Sequence, residues 1–75
     1  MSRALTIRIE SWLDRYYLEP RAKPVVELLQ WRHEAYDFMA VLRGYPDCAY
    51  ASDYFYLTQQ VFFESQELIN KPTRS

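Results

Sequence analysis

No glycine and no proline interrupts residues 25–43. Pro24 stands in front of this stretch, and Gly44 and Pro46 stand behind it. Proline suits the first position of a helix, where its missing N–H costs nothing. The chain's one glycine stands where a left-handed residue would close a helix, and Pro46 forbids continuation. The pattern predicts a helix from Pro24 to Arg43 with Gly44 as its left-handed cap. On a helical wheel Leu28, Trp31, Ala35, Phe38, Met39 and Leu42 form one apolar face. Val25, Leu29, Tyr36 and Ala40 form a second beside it. Glu27, Gln30, Glu34, Asp37 and Val41 make the solvent side. The apolar arc is roughly 200° wide, against about 100° for an ordinary surface helix. Such a helix belongs at the centre of a bundle and touches two neighbours.

The flanking segments supply those neighbours. Ser2 is a candidate N-cap. Leu5, Ile9, Trp12, Leu13 and Tyr16 then recur at spacings of three and four, which predicts a helix over residues 3–18. Arg8 and Arg15 lie on one flank of it, Glu10 and Asp14 on the other. Residues 5–10 also alternate apolar and polar as a half-buried strand does, but the helical stripe runs longer. Ile7 is left off that stripe. Glu19-Pro20 ends the helix, because the residue before proline is pushed out of the α region. The connection over 20–23 is short, as between antiparallel neighbours. A third helix is expected over residues 53–70. Ser52 or Asp53 would cap it after a loop from Tyr45 to Ala51. Leu57, Val61 and Leu68 would form its core stripe, with Tyr54, Phe55, Phe62 and Ile69 alongside. The fold class is all-α: a three-helix bundle in one domain over residues 1–70, with a tail over 71–75.

Length and composition narrow the function. A chain of 75 residues with one Cys and one His has no internal disulfide and too few soft ligands for a structural zinc site. No metal and no cofactor is expected. A single core of this size supplies only ~3–5 kcal/mol, and the 17% aromatic content is one remedy, since each ring buries a large area. No apolar run reaches the ~18–20 residues of a membrane span. A free cysteine fits the reducing cytoplasm. Residues 1–33 carry a net +2 and residues 34–70 a net −5, whereas a DNA-binding domain of this size shows a clear basic excess. A nucleic-acid-associated regulator would have to use Arg3, Arg8, Arg15, Arg21, Lys23 and Arg32.

Catalytic constellations are sparse. Cys48 and His33 are the one nucleophile–base pair of the Cys/His type, and no local motif joins them. One glycine cannot build a phosphate loop. The carboxylate pairs Glu10/Asp14 and Glu64/Glu67 read as solvated helix faces. No enzymatic activity is expected; an accessory subunit of a larger enzyme remains an alternative. Arg32 falls between the two apolar faces of the central helix. It reads as a snorkelling or internally paired side chain, or as an anchor for an acidic partner group.

The strongest signal is aromatic. Residues 45–56 hold Tyr45, Tyr50, Tyr54, Tyr56 and Phe55. Tyr56 and Phe63 lie seven apart on a side of the third helix that is otherwise Gln59, Gln60, Glu64 and Glu67. Tyrosine offers a large rigid contact with a polar tip, which enriches it at protein interfaces. The predicted interface is Tyr45, Tyr50, Tyr54, Tyr56, Phe63, Glu64 and Glu67, with Asp47 and Asp53 on its acidic rim. It points to an adaptor or inhibitor that occupies a surface on another protein with a basic face, or on a second copy of itself. A cellular protein and an antagonist from a phage or mobile element both fit this reading.

Overall fold

A computed structural model of the chain describes residues 2–18, 23–45 and 48–71. It contains three helices, α1 (Arg3–Leu18), α2 (Val25–Leu42) and α3 (Ala49–Asn70), and no strand among the described residues. The all-α three-helix bundle expected from the periodicities is the fold observed. The connection at Pro20, Arg21 and Ala22 lies outside the described residues, as do Pro46, Asp47 and residues 72–75.

Helix α1 begins as its sequence predicts. The Ser2 hydroxyl accepts the Leu5 N–H at 3.1 Å, and the Ser2 carbonyl accepts the Thr6 N–H at 3.1 Å. A cap of this kind satisfies N–H groups that the first turn leaves without partners. Ile9, Trp12, Leu13 and Tyr16 are buried, Leu5 packs against them, and Ile7 is exposed. Residues 5–10 are helical, so the strand-like alternation there carries no strand.

Helix α2 departs from expectation at both ends. Pro24 is the N-cap residue, in extended backbone (φ −61°, ψ 154°), and helical geometry starts at Val25. The first helical bond runs from Leu28 N–H to the Pro24 carbonyl at 3.0 Å. Gly44 is not left-handed; no described residue has positive φ. The helix ends by tightening instead. Gly44 N–H donates to the Val41 carbonyl at 3.0 Å and Tyr45 N–H to the Leu42 carbonyl at 3.1 Å. These three-residue closures consume the last carbonyls as a left-handed cap would. Glycine still matters here for space, since a Cβ at residue 44 would stand 3.2 Å from the Val41 carbonyl oxygen.

Helix α3 starts four residues before the predicted boundary. Cys48 is its N-cap residue and accepts the Ser52 N–H on its carbonyl at 3.2 Å, with no side-chain cap bond. Ser52 and Asp53 are therefore exposed positions within the helix rather than its caps. Ala49 and Ala51 explain the extension, because alanine is the strongest helix former and prolongs a helix without a capping side chain. The core stripe of α3 also shifts. Ala51, Thr58, Val61 and Ser65 are the buried residues, while Leu57 and Leu68 are half-buried. Ala51, Thr58 and Ser65 recur every seven residues among the buried positions of α3, as Leu28, Ala35 and Leu42 do among those of α2. Small side chains let two backbones come close, and α2 and α3 form the tightest pair in the molecule. The buried hydroxyls are satisfied locally: Thr58 donates to the Phe55 carbonyl at 2.9 Å and Ser65 to the Val61 carbonyl at 2.7 Å.

Helix α1 stands further off, and rings fill the gap. Trp12 meets Trp31 at 5.5 Å between centroids and Phe38 at 5.0 Å, and Tyr16 meets Trp31 at 5.1 Å. The pairings define direction. Trp12 lies by Phe38 and Tyr16 by Trp31, so α1 and α2 are antiparallel. Tyr36 meets Phe62 while Arg32 meets Gln66, so α2 and α3 are antiparallel as well. The two predicted flanks of α1 face the two partners. Arg8 and Arg15 border α2, and Glu10 accepts the Tyr54 hydroxyl of α3 at 2.9 Å.

Candidate functional site

The structure divides the predicted aromatic interface in two. Tyr45 and Tyr54 are half-buried and pack against the core, Tyr54 with its hydroxyl on Glu10. Because α3 begins at Ala49, Tyr54 lies on its second turn and leans toward α1. These two rings complete the fold. Tyr50, Tyr56 and Phe63 stay at the surface; Tyr56 is 59% exposed and Phe63 57%. Phe63 is held in place by an edge-on contact with Phe62 at 5.5 Å.

Tyr56 and Phe63 line a shallow groove together with Gln59, Gln60, Glu64 and Glu67. Tyr17 of α1 forms part of the same groove. Sequence reasoning passed over Tyr17, although its signal was the one that marked Tyr56 and Phe63: an aromatic off the core stripe of an amphipathic helix. Its ring stands edge-on to Tyr16 at 5.1 Å, which fixes its orientation.

Glu64 has a structural task as well. One of its carboxylate oxygens accepts the Tyr16 hydroxyl at 2.6 Å, tying α1 to α3. Burial raises the Tyr16 phenol well above its ordinary range, and the hydrogen bond to the Glu64 carboxylate raises it further. Tyr17 is raised by burial and then by the same charge. Both phenols are thus held in their neutral form, and Tyr16 donates to Glu64. A second concavity of about 590 Å³ is also lined by Tyr17, together with Tyr16, Lys23, Leu68 and Lys71. Tyr17 therefore borders two concavities.

Cys48 and His33 are not brought together. His33 is exposed and pairs with Asp37 at 3.3 Å. Cys48 is half-buried at the start of α3. From His33 to Leu42, where the turn toward Cys48 begins, α2 rises about 14 Å. Among the described residues no three His, Cys, Asp or Glu side chains are placed to hold a metal ion, and no helix is long and apolar enough to cross a membrane. Arg8 and Arg15 share a groove with the carboxylates of Glu34 and Asp37, and Arg15 lies over the Trp31 ring at 5.4 Å. Glu34, expected on the solvent side, is half-buried and accepts the Trp12 indole N–H at 3.1 Å. Those carboxylates weaken the pull of this flank on phosphate. Compared with models of known protein families, with curated proteins and with solved structures, the chain matches none.

Proposed function

We propose that this chain is a non-catalytic protein-binding module of the cytoplasm, an adaptor or inhibitor that occupies a partner's surface through the outer face of α3. The observation that carries this reading is the pair of rings at Tyr56 and Phe63. Each is more than half exposed on a helix face otherwise made of glutamine and glutamate. Such rings gain little from the monomer, whereas desolvation against another protein is worth a large share of a binding free energy. Tyr17 adds a third ring from another helix, which makes the surface a feature of the folded molecule rather than of one segment. Glu64, Glu67 and Asp53 surround it with negative charge, so the partner's matching face is basic.

The double variant Tyr56→Ala, Phe63→Ala tests this. Full-length wild type and variant are immobilised in parallel, and retained proteins are identified by mass spectrometry. The expected result is a protein with a basic surface, retained by the wild type and lost from the variant, whose far-UV circular dichroism is unchanged. Sedimentation of each chain alone reads out self-association on the same face. Identical retained sets and identical masses for the two chains would sink the reading.

A further inference from the structure

Helix α1 covers only one side of the α2–α3 pair. Its contacts with α2 run through Trp31, Glu34 and Phe38. On the opposite side of α2, Val25, Leu29, Arg32, Tyr36 and Arg43 form a row at spacings of three, four and seven. This row contains most of the second apolar face expected to be covered by a neighbour, and among the described residues no helix packs over it. Val25 is 54% exposed, Leu29 41% and Tyr36 59%. The row borders α3 along its length. Tyr36 meets Phe62 at 6.4 Å, Arg32 donates to the Gln66 side-chain carbonyl, and Arg43 lies over the Phe55 ring at 5.7 Å.

We propose that this face of the α2–α3 pair binds one amphipathic helix of another protein, with an apolar stripe and acidic flanks. Two antiparallel helices with a third on one side leave the fourth position of a four-helix bundle open. The shape suits a helix laid in a groove, reading apolar anchors at helical spacing. Charge selects the flanks. Among the described residues neither the Arg32 nor the Arg43 guanidinium has a carboxylate within 4.0 Å; the one ion pair is His33–Asp37. Among the described residues Arg32 reaches the neutral Gln66 amide and Arg43 the Phe55 ring, which positions both cations in advance and lowers the entropic cost of pairing. A second copy of the chain fits less well. A two-fold contact would bring the same face against itself, and the row holds two arginines and no acid. This surface is separate from the acidic face of α3 and calls for a partner of opposite charge.

The test uses two synthetic helical peptides as long as α2, 18 residues, with leucines at heptad positions. One is flanked by glutamates and the other by lysines. Fluorescence anisotropy measures each against the full-length chain. The glutamate peptide is expected to bind, and the lysine peptide to bind about tenfold more weakly, as one half-buried and one exposed charge contact permit. The variant Arg32→Glu, Arg43→Glu should reverse that preference, and its gain for the lysine peptide certifies that it is folded. Should that variant not fold, Tyr36→Ala takes its place and should weaken the glutamate peptide about tenfold. Tyr56→Ala, Phe63→Ala should leave both affinities unchanged, which separates this proposal from the one above. Failure of both peptides to bind, or binding indifferent to charge, would overturn it. So would a wild-type dimer that Tyr36→Asp dissociates, since the occupant would then be a second copy.

Discussion

Thr58 and Ser65 are the fully buried polar residues of the described chain, and they show how small side chains set the packing. Each hydroxyl returns to a carbonyl of its own helix, so burial leaves no donor without a partner. What the core needs from them is their small volume where α2 and α3 approach. Ser65→Leu should therefore lower stability by about 1–3 kcal/mol through overpacking, read as a reduced urea midpoint. Ser65→Ala keeps the space and removes a bond made within the helix, so it should shift stability by less than about 1 kcal/mol. Equal losses in the two variants would show that the hydroxyl, not the volume, is what matters. By size and apolarity alone, Leu57 and Leu68 are the expected core residues of α3 rather than these positions. The seven-residue recurrence of Ala51, Thr58 and Ser65 was nevertheless in the sequence, and only the meaning of small residues at a close approach was missed. Arg32 was legible as a choice between internal pairing and partner recognition. Its contact with the neutral Gln66 amide, and the lack of a carboxylate within 4.0 Å among the described residues, depend on where α3 lies.

At the scale of elements, the three helices follow from periodicity, and their ends follow from local chemistry that is less specific. Ser2 caps α1 as its type suggests. Helix α2 closes by three-residue hydrogen bonds where glycine suggested a left-handed turn, since two closures compete at such an end. Helix α3 starts at Ala49 without a capping side chain, because alanine propagation outweighs the stronger caps at Ser52 and Asp53. The three helices do not adhere equally. The α2–α3 seam is a close approach along two backbones, whereas α1 is held by Trp12, Tyr16 and the rings they touch. Trp12→Ala should cost about 3–5 kcal/mol, comparable to the whole stability of a domain this small, and should abolish cooperative thermal unfolding. In the wild type, amide hydrogen exchange should be faster in α1 than in the middle of α2 and α3, because a helix docked by a few rings opens locally at low cost. Uniform protection across all three helices would contradict this ranking.

For the molecule as a whole, the phenol–carboxylate bonds that clamp α1 to α3 make stability sensitive to alkali. Tyr16, Tyr17 and Tyr54 are all raised above their ordinary values, first by burial and then by Glu64 or Glu10. In the unfolded chain these phenols ionise near pH 10, while the folded molecule holds its protons more tightly. Their contribution is therefore complete below about pH 10 and falls away as pH rises toward the folded values. Urea midpoints should decline above about pH 10, and Tyr16→Phe should flatten that decline; an unchanged slope in the variant would show that Tyr16 does not set it. Two surfaces of opposite charge, the acidic aromatic face of α3 and the arginine-bearing face of α2 with α3, would let one small chain bridge two partners.

The sequence by itself determined the number of helices, the stripe that α1 buries, the bracket around α2 and the exposure of Tyr56 and Phe63. All of these rest on interactions between residues a few positions apart, which the 3.6-residue period records. Tertiary structure alone decided that Tyr45 and Tyr54 turn inward, that Tyr17 joins Tyr56 and Phe63, and that the second apolar face of α2 is left open. Those outcomes depend on which side of the α2–α3 pair α1 occupies. A wide apolar arc allows either side, and the choice falls to the fit of Trp12 and Tyr16 against Trp31 and Phe38.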